Sequence, residues 1–227
     1  MDVDRPPAKI VIVVVSYNAL GYARRMLRSV RRTVGVPYEI VVVDNHSRLR
    51  TRLYWTAQRF LGRINRLALL DRNTFFAEGT NIGVAMASRD ATHVLLLNTD
   101  CEVLDPTWLQ RLLAIHEEGA TGLRYVTSGA WPRADGFCLL VDRHCWEDGL
   151  DEAYQWWWSV TGLEARLLRQ GRSVQAVNDY SDVLVHHGGK SGKAFLAAKS
   201  GDASAQLIAG WFEGRHVKVV DRLPDLA

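Results

Sequence analysis

The ten residues HVLLLNTDCE, His93–Glu102, decide how the chain folds. Their apolar run, Val94 to Leu97, is closed by Asn98-Thr99-Asp100, and a helix signal follows at Asp105-Pro106. A short apolar run bounded by polar residues reads as a strand buried on both faces. Open α/β sheets bind ligands beyond the C-terminal ends of their strands, so Asp100 stands where a site residue would. The competing role, capping the next helix, suits Asp105 better, because it directly precedes Pro106 at a first helical position.

The flanking segments repeat the pattern. Lys9 to Val15, KIVIVVV, is a β-branched strand that ends in Ser16-Tyr17-Asn18. From Leu20 to Val34 the apolar positions 20, 23, 26, 27, 30 and 34 form a helical stripe with arginines on the other faces. Tyr38 to Val43 is a second buried strand, closed by Asp44-Asn45-His46-Ser47. Thr51 to Leu61 reads as a helix, Arg66 to Leu70 as a strand, and Asn73 to Gly83 as a loop leading into a helix that reaches about Ser88. Strands alternating with helices imply a parallel sheet wrapped by helices, with right-handed crossovers. Further on, helices are expected at Asp105 to Glu118, at a short turn over Arg143 to Glu147, and at Thr161 to Gln170, where Thr161 and Glu164 match a capping box and Gly171 a stop. Strands are expected at Leu123 to Thr127, Phe137 to Val141, Ser173 to Val177 and His216 to Val220. His186 to Gly192 reads as a loop, and Lys193 to Lys199 and Ala203 to Glu213 as helical. No repeat or low-complexity linker divides the chain. One domain with two lobes is expected, a first half over 8–104 and a second over 105–192, with a C-terminal extension over 193–227.

At 227 residues, 48% hydrophobic and 23% charged, the chain is large enough for one globular domain. A formal charge of +3 does not by itself argue for nucleic acid. Arginines nevertheless crowd positions 24, 25, 28, 31, 32, 48, 50, 52, 59, 63 and 66. They fit either a solvated helix face or a phosphate-rich or anionic-membrane partner. Cys101, Cys138 and Cys145 lack metal-ligand spacing and suit free thiols in a reducing cytoplasm. The polar, proline-rich start shows no signal peptide, and no apolar run approaches the roughly 20 residues of a membrane span. A cytoplasmic location, with peripheral membrane contact at most, is the expectation.

In a parallel sheet the clusters Ser16-Tyr17-Asn18, Asp44-Asn45 and Asn98-Thr99-Asp100 share one edge, giving a polar crevice with two carboxylates. Asp44 could accept hydrogen bonds from a ribose or base, and Asp100 could bind a hard divalent cation through oxygen. Gly79 and Gly83 flank a helix start, where a ligand can approach closely. No Walker loop is present.

Five segments together, VVVSYNAL (13–20), IVVVDNHS (40–47), NTFFAEGTNIG (73–83), LLLNTD (95–100) and VHHGGKSG (185–192), make the chain resemble the family 2 glycosyltransferases with a GT-A fold, especially small bacterial enzymes of the rhamnosyltransferase-like type. The resemblance covers roughly residues 8 to 192. It implies a Rossmann-like, mostly parallel central sheet with a less regular acceptor lobe. It also implies inverting transfer of a sugar from a UDP-, dTDP- or GDP-linked donor with Mn²⁺ or Mg²⁺, onto a glycan or lipid-linked acceptor. By the same resemblance Ser16, Tyr17, Asn18, Asp44, Asn45, Asn73, Gly79, Asn81, Asn98 and Thr99 belong to the nucleotide-sugar pocket. Asn98-Thr99-Asp100 takes the place of the family's Asp-x-Asp motif, with Asp100 as direct metal ligand on the donor diphosphate. His186 matches a histidine that supplies a further ligand in many relatives, and His187 beside it leaves the register open by one.

The pattern departs at the general base. Ser159-Val160 occupies the place of the family's Glu-Asp pair, and neither residue is a carboxylate. Asp135 and Glu152 rank first as replacements, and Glu164 is assigned to the capping box. The alternatives are an acceptor that brings its own base and a non-catalytic nucleotide-sugar-binding protein. A nucleotidyltransferase is disfavoured, because no glycine-rich basic signature lies near the N-terminus. Trp156, Trp157 and Trp158 cannot all share one face, so at least one ring is available to line an acceptor floor. Such a floor would also suit a nucleic-acid acceptor, the lesser reading.

Overall fold

The computed structural model describes residues 7–129, 131–155, 157–188 and 205–226. Trp156, the glycine-rich end of the 186–192 loop and the helix expected over 193–199 lie outside them.

Four strands alternate with three helices as the sequence predicts: β1 (Ile10–Ser16), α1 (Leu20–Val30), β2 (Tyr38–Asp44), α2 (Leu49–Phe60), β3 (Arg66–Leu69), α3 (Ala77–Ala85) and β4 (His93–Leu97). There follow β5 (Cys101–Val103), α4 (Trp108–Ile115), β6 (Gly119–Leu123), β7 (Tyr125–Val126), β8 (Arg133–Ala134) and β9 (Cys138–Asp142). After a 3-10 turn at Arg143–Trp146 come α5 (Trp157–Arg169), β10 (Ser173–Asp179), β11 (Leu184–His186), α6 (Ala205–Phe212) and β12 (Lys218–Arg222). Eight strands form one sheet in the order β12-β10-β6-β9-β4-β1-β2-β3. Only β9 runs against its neighbours in that sheet. Two short ribbons, β5 with β11 and β7 with β8, stand apart from it.

The alternation of side chains along β1 explains the layers. Ile10, Ile12 and Val14 join Met26 and Leu27 of α1, Trp55 of α2 and Trp108 and Leu112 of α4 in one core. Val11 and Val13 face the other way, toward Val84 of α3 and Val160, Leu163 and Leu167 of α5. A strand buried on both faces needs apolar residues at every position, which is why KIVIVVV carries no polar break.

Three expectations change. The strand read at 123–127 is broken at Arg124, whose left-handed φ of 72° separates β6, which begins earlier at Gly119, from the two-residue β7 at Tyr125–Val126. The helix read from Thr161 starts at Trp157, so Thr161 lies inside it and the capping box does not form. Gly79 and Gly83 lie in α3, where a side chain on Gly83 would stand 2.4 Å from Val13 and one on Gly79 3.2 Å from Val15. Their smallness serves the approach of helix to sheet.

Candidate active site

The C-terminal ends of β1, β2 and β4 meet at one edge, as parallel pairing requires. Ser16 pairs with Asp44 in register, and β4 lies on the other side of β1. Three residues there hold positive φ without being glycine: Asn18 (55°), His46 (63°) and Phe75 (59°). Backbone held in sparsely populated conformations concentrates at functional sites.

Asp44 is fully buried at the end of β2. Its Oδ1 accepts the Ser47 N–H at 3.0 Å and lies 3.7 Å from Arg52, and Oδ2 has no hydrogen-bond partner. Burial raises its pKa against the pull of Ser47, Arg52 and His46. A buried carboxylate oxygen left open at a crevice is an acceptor awaiting a donor, such as a base N–H or a ribose hydroxyl.

Most neighbouring polar residues hold the crevice's own backbone. Ser16 Oγ accepts the Trp55 indole N–H at 2.8 Å. Asn45 accepts from Thr74 N–H (2.7 Å) and hydroxyl (2.9 Å) and donates to Phe75 O (2.7 Å). Asn73 Oδ1 accepts the Phe75 N–H at 2.9 Å. Asn18 donates its N–H to Ser47 and accepts the Arg48 N–H on its side chain. Asn81 is turned to Leu150 and Glu152, exchanging both amide groups with them. Tyr17 and Asn98 stay half-buried at the edge, and Thr99 is buried.

Asp100, 1% exposed, follows β4. The β5–β11 ribbon pairs His186 with Cys101, which brings His186 Nε2 to 3.4 Å from Asp100 Oδ1. The ribbon turns the two histidines apart: His187 donates its N–H to Asp100 O, lies 3.6 Å from Glu102 and rests on Tyr22. The His186 ring stacks on Phe137 at 4.1 Å. Donor atoms of Asp100, Cys101 and His186 fall within 4.8 Å of one another. Cys101 does not fit as a ligand, since burial pushes its thiol well up and its Sγ is turned to Phe137 O. Asp100 and His186 do fit. His186 Nε2 is buried without a hydrogen bond, and one carboxylate with one imidazole suits a divalent ion that keeps open positions.

Asp135 precedes Phe137 on the loop from β8 to β9. It is partly exposed, pairs with Arg124 at 3.4 Å and lies two residues before Phe137, whose ring stacks on His186. Glu152 is exposed and held by Asn81. Glu164 is the carboxylate whose place the sequence misassigns. It is fully buried on α5, accepts the Ala134 N–H at 3.2 Å through one oxygen and leaves the other unbonded. Burial pushes its pKa well up, and Asp135 nearby adds to this. Its signal in the sequence is the spacing Val160, Leu163, Glu164, Leu167, which puts it on the core-facing stripe of α5. Ser159 and Val160 are buried. Trp157 opens α5, and Trp158 packs with Trp131, Trp211 and Phe212 against α6, with the Arg133 guanidinium over its ring.

A family model described as Glycosyl transferase family 2 matches residues 11–175. The chain belongs to this family. No curated protein matches it in sequence. Among solved structures, S. aureus TarS 1–349 aligns with 92% of this chain and 71% of its own, at 15% identity and a TM-score of 0.63. Its UDP complex aligns over 69% of this chain, so the chain spans only 55% of that relative (15% identity, TM-score 0.55). Mannosyltransferase PcManGT from Pyrobaculum calidifontis, in complex with GDP-Man and Mn²⁺, aligns over 80% of this chain and 59% of its own, at 16% identity and a TM-score of 0.64. At such identities the likeness establishes the GT-A fold of this family 2 chain.

Proposed function

We propose that this family 2 chain is a divalent-metal-dependent, inverting glycosyltransferase that moves a sugar from a nucleoside diphosphate carrier to a glycan or lipid-linked acceptor. The pairing of Asp100 with His186 at the end of the central strand carries this reading. The structural relatives crystallised with UDP, UDP-GlcNAc or GDP-Man support the donor class, and the Mn²⁺ in PcManGT supports the metal.

Asp44, through its open Oδ2, would bind the base or ribose, and Tyr17 and Asn18 would line the pocket. Asp100 and His186 would hold Mn²⁺ or Mg²⁺. That ion, when bound, offsets the charge that builds on the departing diphosphate. The acceptor hydroxyl attacks the anomeric carbon, the bond from that carbon to the diphosphate oxygen breaks, and Asp135 takes the hydroxyl proton. Purified protein with Mn²⁺ and a panel of UDP-, dTDP- and GDP-sugars tests the reading through released nucleoside diphosphate. Metal-dependent release from one donor supports it. Nucleotide binding with no release, even with acceptors present, would make the chain a binding protein. Asp44→Ala is expected to weaken free nucleotide and nucleotide sugar alike, by about tenfold for a lost charged hydrogen bond. An effect on the sugar alone would remove Asp44 from the base and ribose.

An acceptor carried at a lipid surface fits the α1–α2 face. Residues 19–70 hold eleven arginines, and their only carboxylates, Glu39 and Asp44, are buried. Leu49, Leu53 and Phe60 fall on one outward stripe of α2, with Phe60 90% exposed, and Arg50, Arg52 and Arg59 flank it. An apolar stripe between cations matches an anionic bilayer better than a nucleic acid. Phe60→Ser is expected to weaken sedimentation with phosphatidylglycerol-containing vesicles by about tenfold. Equal binding to phosphatidylcholine vesicles, or oligonucleotide binding that outcompetes the vesicles, would overturn the assignment.

A further inference from the structure

The opposite end of β4 holds a second cluster of ligand-type side chains. His93 opens β4 and pairs in register with Asp142, the last residue of β9, while His116 follows α4. His116 Nε2 lies 3.1 Å from Asp142 Oδ2, and His93 Nε2 lies 3.6 Å from Asp142 Oδ1. Donor atoms of all three residues fall within 4.8 Å of one another.

Counting hydrogens fixes what His116 presents. Gln175 Oε1 accepts the Glu117 N–H at 3.3 Å and the Thr121 hydroxyl at 2.9 Å. A backbone N–H can only donate, so the Gln175 amide cannot be flipped and the Thr121 hydrogen is committed to it. Thr121 Oγ1, 2.7 Å from His116 Nδ1, is left only as an acceptor. Nδ1 therefore carries the ring hydrogen, and Nε2 turns its lone pair toward Asp142 unless it takes a second proton. Asp142 Oδ2 already accepts the Gly119 N–H at 2.7 Å. A lone pair and a carboxylate 3.1 Å apart need a cation between them.

We propose that His93, His116 and Asp142 form a structural site for a Zn²⁺-class divalent ion, pinning the end of α4 to β4, β6 and β9. Two ligands at 2.0–2.1 Å from a tetrahedral ion stand about 3.3 Å apart, and the spacings of His116 to one Asp142 oxygen and of His93 to the other, 3.1 and 3.6 Å, lie on either side of that value. An Nδ1–H held by an oxygen is also how proteins aim Nε2 at a metal. His93 has 14% of its side-chain surface in solvent, which gives the ion a route in and a water a fourth position. Nothing in the site depends on the transferase reading.

The test uses the untagged full chain, stripped with chelator, reloaded with Zn²⁺, desalted and assayed for metal. Asp100→Asn/His186→Gln, which silences the donor edge, is expected to retain about one equivalent. His93→Gln/His116→Gln is expected to lose it, and Thr121→Val to bind about 10–100-fold more weakly. Zn²⁺ content indifferent to His93→Gln/His116→Gln, or absent from Asp100→Asn/His186→Gln, would overturn the site and leave a cluster held by a proton. Should the double histidine variant not fold, the Asp100→Asn/His186→Gln chain loaded with Co²⁺ decides. Tetrahedral d–d bands without a thiolate charge-transfer band support a site that has no sulfur. Absence of those bands, or a thiolate band that places the ion at Cys101, refutes it.

Discussion

Asp100→Asn is expected to lower metal-dependent donor turnover by on the order of 10³-fold and to abolish the gain in donor affinity on adding Mn²⁺. The amide keeps the size and shape of a side chain that is 1% exposed, so the strand end and the β5–β11 ribbon stay in place. What goes is the negative charge. Cys101 cannot replace it, because burial pushes its thiol well up, and His186 alone offers a single ligand nitrogen. A departing diphosphate then develops its charge with several kcal/mol less compensation, and each 1.36 kcal/mol is a factor of ten in rate. His186→Ala is expected to fall between Asp100→Asn and wild type, since the carboxylate contributes the charge and the imidazole only a further bond. Released nucleoside diphosphate measures the rate, and calorimetry with and without Mn²⁺ measures the affinity. An Asp100→Asn protein whose donor affinity still rises with Mn²⁺ would move the metal elsewhere.

The donor edge was legible because its strands are apolar on both faces and end abruptly in polar residues. No such signal marked β6, whose Gly-Ala-Thr-Gly-Leu sequence has little β propensity. It is a strand because Gly119 and Gly122 let Ser173, Ala134 and Leu139 approach its backbone closely. The start of α5 was misread for the opposite reason. Thr161 and Glu164 satisfy a local capping rule, but Val160, Leu163 and Leu167 pack on the sheet, and that packing extends the helix back to Trp157. Polar residues around the crevice also hold its own backbone. Asn45 and Asn81 are spent on backbone groups of tight loops, which must be hydrogen-bonded before any ligand arrives. Asp44, by contrast, keeps an oxygen open. The cluster of His93, His116 and Asp142 had no sequence signature at all, because the register of β4 against β9 brings it together.

Asp135→Asn is expected to lower kcat by about 10²–10⁴-fold with donor affinity unchanged, the loss typical of a missing general base. Its neighbour Glu164 gives the contrast that makes the test specific. Ser159 and Val160 leave no carboxylate at the start of α5, and burial pushes the pKa of Glu164, deep on the same helix, well up, which disfavours the ionised form a base needs. Glu164→Gln is therefore expected to preserve turnover while changing how stability depends on pH. In the unfolded chain Glu164 ionises near about pH 4.3, and in the folded protein it holds its proton to higher pH. The folded state then binds more protons, so stability is complete below that unfolded value and falls as pH rises toward the folded pKa. Gln cannot ionise, so Glu164→Gln is expected to lose less stability than wild type between about pH 5 and pH 8 in urea unfolding. Glu152→Gln is expected to act through Asn81 and the 149–152 segment, lowering stability rather than kcat alone. Wild-type kcat in Asp135→Asn, together with loss of turnover in Glu164→Gln, would exchange the two roles. The Glu164 carboxylate would then have to ionise within the core, and its pH–rate profile would rise well above the ordinary carboxylate range.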